Sequence, residues 1–175
     1  MASIEKITGE LRALAAGVER GQRLAAAVDS QAQEVAVRTA GAGFTAVAAG
    51  IARVRAAVST IQGELGSLAT AVGEATKTAA SVPQQATPQE TIAALAPVQQ
   101  GITSARETTT ATIAHVDNAR HLVSAALHGG QPGPLLQSLD GIKQVLVLLA
   151  QRTGTAQQAV EAATNQARQV GSSGN

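Results

Sequence analysis

The stretch Leu135-Leu136-Gln137-Ser138-Leu139-Asp140-Gly141-Ile142-Lys143-Gln144-Val145-Leu146-Val147-Leu148-Leu149 decides the fold. Its large aliphatic residues at 135, 139, 142, 146 and 149 recur at alternating spacings of four and three. That period places them along one stripe of a helix lying lengthwise on a partner, and no strand repeats that way. The stripe continues through Thr153, Ala156, Val160, Ala163, Ala167 and Val170, so one helix starting at Pro134 is expected. Leu136, Val145 and Leu148 widen the apolar face of its first half, which predicts burial against more than one neighbour.

The same spacing opens the chain. Ile4, Ile7, Leu11, Leu14, Val18, Gly21, Ala25, Val28, Ala32 and Val35 form one seam, predicting a helix over about residues 3–39 with Ser3 as its N-cap. A second seam runs Val47, Ile51, Val54, Val58, Ile61, Leu65, Leu68, Val72 and Ala75, displaced by one position from the first. Gly41-Ala42-Gly43-Phe44 lies between them, and two glycines favour a hairpin turn over one long helix carrying a skip. Residues 1–80 therefore read as an N-terminal hairpin or a single long helix, and 81–87 as a linker containing Pro83.

Thr87-Pro88-Gln89-Glu90 is a strong start signal, a capping residue followed by Pro at the first helical position and Glu at the third. The third segment is the weakest, reading Ile92, Leu95, Ile102, Ile113, Val116, Val123 and Leu127, with Pro97 expected to kink or split it. Gly129-Gly130 closes it. Residues 88–171 then form a C-terminal hairpin packed on the first, and 172–175 a frayed tail. The fold class that follows is all-α: an elongated antiparallel bundle of about four long helices with Ala-rich, coiled-coil-like seams.

Composition narrows the function. The 175 residues include 38 Ala against 40 Leu, Ile, Val, Met and Phe together, and Phe44 is the only aromatic. Such seams are thin, so a monomer of marginal stability and a tendency to self-associate are expected. Net charge is +1 with no basic stripe and no aromatic platform, which argues against nucleic acid. The absence of Cys removes disulfides, thiolate metal sites and thiol catalysis. Charged residues at Glu5 and Lys6 do not suit a secretory leader, and Val145–Ala150 is far short of the roughly 20 residues of a membrane span, so a cytoplasmic location is expected. Ten Arg against three Lys, with abundant Ala and Gly, match the output of a GC-rich genome.

Catalytic and ligand sites find no support. No phosphate loop, nucleophile elbow or zinc motif occurs, so no catalytic, cofactor-binding or metal-binding residue is assigned and no enzyme is expected. His121 and His128 share a helix face but stand about 10.5 Å apart, too far for one metal. Asp117 and His121 read as a solvated pair rather than a metal half-site. The candidate interaction residues are Phe44, Arg106, Arg120 and Leu146. Phe44 sits at the first turn, plugging the bundle end or anchoring a partner. Arg106 and Arg120 fall at seam-like positions, either paired there with Glu107, Asp117, Glu161 or another chain, or turned outward by rotation of the helix. Leu146 marks a seam on the last two helices that a monomer would leave incompletely covered.

Three segments carry a family resemblance: Thr87-Pro-Gln-Glu-Thr-Ile-Ala-Ala-Leu-Ala-Pro97, His128-Gly-Gly-Gln-Pro-Gly-Pro-Leu-Leu136 and Gly141-Ile-Lys-Gln-Val-Leu-Val-Leu-Leu-Ala-Gln-Arg152. They resemble an uncharacterised Ala-rich family of actinobacterial proteins, with the likeness extending to the Gly-Phe turn near residue 43. That resemblance implies no activity and no site residue. Residues 1–80 also resemble, more weakly, the small helical hairpins exported by type VII systems, although the Trp-x-Gly turn and the Tyr-containing export signal of those proteins are missing here. The expected function is a non-enzymatic scaffold or interaction protein that associates with itself or with another helical protein. The alternatives are a phasin-like protein opening its helices onto a lipid or granule surface, which the scarcity of aromatic and Lys anchors disfavours, and a type VII export substrate.

Overall fold

The computed structural model describes residues 2–130 and 132–174, with the side chain of Ala2 set aside. Four helices follow one another: α1 (Ala2–Gly41), α2 (Thr45–Ala80), α3 (Pro88–Ala126) and α4 (Gly133–Ser173). Each packs against its sequence neighbours, and α1 closes the ring on α4, while among the described residues the backbones of diagonally opposite helices do not come close. Cross-helix pairs fix the directions. Asp29 meets Arg55, Glu64 meets Thr112, Arg106 meets Gln157, and Gln31 meets Ser138, so every adjacent pair runs antiparallel. At 1.5 Å per residue the helices are about 60 Å long, which makes the bundle a rod.

Helix α1 ends where the glycines predict. Gly43 adopts φ +83, a left-handed conformation that other residues reach only at a cost. The Phe44 amide donates to the Thr39 carbonyl and the Gly43 amide to Ala40, the paired bonds of a Schellman stop. The chain thus reverses in a tight turn, which settles the first half as two helices. Ser3 lies inside α1 rather than capping it, and its hydroxyl donates to Gln166 on α4.

The start of α3 forms as the sequence predicts. Thr87 Oγ1 accepts from the Glu90 amide at 3.2 Å, and the Thr87 amide donates to Glu90 Oε2 at 2.8 Å. Pro97, in contrast, does not split the helix, which runs through it unbroken. Pro97 and Ala93 both face solvent, so water can take the Ala93 carbonyl that Pro97 leaves without a donor. At the far end α4 extends to Ser173, so residues 172 and 173 are helical rather than frayed, while Asn175 lies outside the described residues.

The core follows the expected seams of α1, α2 and the first three-quarters of α4, with Ile7, Leu11, Leu65, Leu139, Ile142 and Leu146 among its largest fully buried side chains. Helix α3 is different. Its buried stripe is Leu95, Val98, Ile102, Ala105, Thr109, Thr112, Val116, Ala119 and Val123, while Ile113 and Leu127 lie only partly buried on the flank. Small residues fill the middle of the stripe, and the helix is accordingly rotated from the reading that its large residues suggest. The single Thr112 hydroxyl proton has two acceptors at 2.7 Å, Thr108 O and Glu64 Oε2 on α2, whereas Thr109 donates to Ala105 O and Thr153 to Ala150 O within their own helices. A threonine so bonded packs as a valine would, without leaving a polar atom orphaned.

Candidate functional site

With α3 rotated, both of its arginines leave the seam. Arg106 is exposed, and its Nη1 donates to Gln157 Oε1 on α4 at 3.2 Å. Gln157 in turn donates to Thr103 at 3.1 Å, so the pair ties α3 to α4 along the bundle surface. Arg120 joins a network of four charges. Its Nε lies 2.9 Å from Asp140 Oδ1 on α4, and its Nη1 lies 3.6 Å from Asp117 Oδ1 one turn back. The Nε–Asp140 contact is an ion-pair distance without an aligned hydrogen bond. Lys143 completes the network by donating to Asp117 Oδ1 at 2.8 Å.

Two cations and two carboxylates alternate here, so the network is neutral and clamps α3 to α4. Of the partners foreseen for Arg120, Asp117 is present and Asp140 is added; Glu107 and Glu161 are not used. The Lys143 hydrogen bond, helped by the charges of Lys143 and Arg120 against partial desolvation, holds the Asp117 carboxyl below its ordinary value. His121, four residues on, is exposed and takes no part.

A second polar node joins α2 to α3. Glu64 Oε1 lies 2.7 Å from His115 Nδ1, and Glu64 Oε2 lies 2.7 Å from the buried Thr112 hydroxyl. The histidine contact is close but off the line of a hydrogen bond. Glu64 and His115 each stand one position before a seam residue, Leu65 and Val116, where flanking positions of neighbouring helices meet. Sequence reading misses this node because the pairing depends on the register of the hairpins, although the flank positions themselves were visible.

These nodes bind helices together. The second brings a carboxylate, an imidazole and a hydroxyl together, but the Thr112 hydroxyl belongs to a fully buried residue, and among the described residues no three His, Asp or Glu side chains are grouped to hold a metal. The clefts are shallow grooves between helices. One, of about 220 Å³, lies between Ile4, Pro83, Pro88 and Val170, and among the described residues no charged side chain lines it. Another, of about 430 Å³, lies between α3 and α4 beside Gln99, Glu161 and Arg168.

The remaining candidates separate sharply. Leu146 is 0% exposed, so the seam it marks is covered by the chain's own helices and is not open to a partner. Phe44 is 61% exposed and plugs nothing, because the Schellman turn directs the chain outward at the bundle end. Val37 joins it there at 68%. Leu148, expected to be buried, is 55% exposed, because Leu149 and Val145 already take the edge of the α4 stripe on one side of Leu146 and Leu148 lies farther round on that side. Val170, near the C-terminal end of the same stripe, is also outside the core.

The fold defines the class of this protein: an all-α, up-and-down four-helix bundle whose core is closed by its own four helices. Residues 86–172 match the model of a family of unknown function (DUF6244). The match begins beside the capping Thr87 and covers α3, the α3–α4 connection and nearly all of α4, so the second hairpin is similar to that uncharacterised family while the first hairpin lies outside the match. No curated protein and no solved structure matches the chain. Among the described residues, no helix is long and apolar enough to cross a membrane.

Proposed function

We propose that this chain works without catalysis, as a cytoplasmic helical-bundle scaffold or interaction protein that meets a second copy or another helical protein through its outer surface. The observation that supports this reading is the division of its apolar residues. The seams of all four helices bury one another, whereas Val37, Phe44, Val147, Leu148 and Val170 stand outside. Association through the seams would require the bundle to open, so an intact rod offers a partner only the outer residues. Scattered apolar side chains are ordinary on a soluble surface, but adjacent ones on a rigid element give a contact a centre. Val147 and Leu148 form such a pair on the flank of α4.

Light scattering coupled to size exclusion, over a concentration series, tests the reading. Assembly of the wild-type chain should weaken in a Val147→Ser/Leu148→Ser double variant while its melting temperature stays unchanged. Assembly that survives this change but disappears when a seam residue is altered would overturn the outer-surface reading.

A further inference from the structure

Between Glu34 and Glu64, and again between Asp117 and Asp140, the chain carries no acidic residue. The antiparallel fold brings these two stretches to the same end of the rod, where Gly50 packs on Ala126 and Gln31 meets Ser138. The basic residues within them are Arg38, Arg53, Arg55, Arg120, His121 and His128. Arg55 is committed to Asp29, and Arg120 to Asp117 and Asp140. Arg38 and Arg53 are exposed and have no carboxylate within 4.0 Å among the described residues. The opposite end is mixed, with Glu5, Glu10 and Glu90 set among Lys6, Arg12 and Lys77.

The same end, acid-free beyond the exposed Glu34 that shares a groove with Val37 and Arg38, carries the single Phe of a chain without Trp or Tyr. Residues Gly41 through Ala46 are all exposed, so Phe44 stands on a projecting turn rather than in a cleft. We propose that this end of the closed bundle docks on an anionic lipid surface, with Phe44 and Val37 entering the interface and Arg38 and Arg53 meeting the phosphate groups. A projecting ring flanked by unpaired cations suits a surface that deforms around it, and an anionic leaflet attracts such cations within a Debye length. The anchors are too few to lay a whole helix on a membrane, but they are gathered at one tip. One aromatic residue and two arginines give weak, reversible binding, well below that of a doubly lipidated protein. The inference goes beyond the protein–protein reading above and stands without it, because it uses the tip and not the flank of α4.

Flotation of the full chain with vesicles tests it, comparing phosphatidylcholine alone with phosphatidylcholine containing about 30% phosphatidylglycerol, at low and high salt. Binding to the anionic vesicles should exceed binding to neutral ones about 10-fold and disappear at high salt. Phe44→Ser should reduce it about 10-fold or more, with helicity unchanged because Ser suits an N-cap. The Arg38→Gln/Arg53→Gln double variant should remove the preference for anionic lipid. Absence of binding at millimolar lipid, equal binding to both vesicles, or binding unaffected by Phe44→Ser would each overturn the proposal. So would retention on immobilised polyglutamate by a chain that ignores vesicles, an outcome that assigns the tip to an acidic protein instead.

Discussion

Gly50 on α2 and Ala126 on α3 pack almost backbone to backbone: a Cβ added at Gly50 would lie 2.7 Å from the Ala126 Cβ and 3.2 Å from its Cα. Neither neighbouring atom can swing aside, so the two helices would have to separate. Overpacking of this kind costs about 1–3 kcal/mol, against a gain of about 1 kcal/mol from the better helix former. Gly50→Ala is therefore expected to lower stability, whereas Gly63→Ala, with nothing within 4 Å of the new methyl, should raise it by up to about 1 kcal/mol. Chemical denaturation of the two variants beside wild type checks the opposite signs.

Leu146 is fully buried among the largest core residues, so its loss leaves a cavity in the best-packed part of the bundle. Leu146→Ala should cost about 2–5 kcal/mol, and Leu146→Asp more, since it also buries a charge without a partner. An unchanged melting temperature for either variant would mean that α4 does not present this face to the core.

The reciprocal bonds of Thr87 and Glu90 give α3 its only side-chain cap. Thr87→Ala is expected to destabilise the chain by about 1 kcal/mol. Hydrogen exchange should show the effect first in the opening turn of α3, where the freed amides lie.

Asp117 lies within 4.0 Å of two cations, Lys143 and Arg120. Pairing with Lys143 and Arg120 holds its carboxyl below the ~3.9 of an unfolded aspartate. A group depressed on folding stabilises the native state above its unfolded value, and that contribution is lost as the pH falls through the folded value. Wild type should therefore exceed Asp117→Asn in melting temperature at neutral pH, and the gap should close below about pH 4. A gap that persists in acid would place the origin of the effect in packing rather than charge.

Most of the bundle was legible because large aliphatic residues mark its seams. Helices α1, α2 and α4 place Leu, Ile or Val on the core at nearly every turn over most of their length, and the Gly43 stop and the Thr87 cap are written in residues with local roles. Helix α3 was misread where Ala105, Thr109, Thr112 and Ala119 do the packing, since such residues give no hydrophobic contrast. Ile113 and Leu127 drew the expected stripe toward the flank and, with it, Arg106 and Arg120 toward the core. The polar nodes depend on which residues stand opposite each other across helices, as Glu64 and His115 do 51 positions apart, and no local pattern holds that information. Phe44 was placed correctly at a turn, but its direction follows from the φ of Gly43.

Four helices of one chain cover each other's seams, leaving Val37, Phe44, Val147, Leu148 and Val170 outside. Thermal unfolding of the Val147→Ser/Leu148→Ser variant, in which association through the outer surface is removed, followed by circular dichroism from about 1 to about 100 µM protein, tests this closure most directly. A bundle complete within one chain melts at the same temperature throughout that range. A melting temperature that rises with concentration would contradict the account, since it would mean that folding waits on a second copy to cover the core.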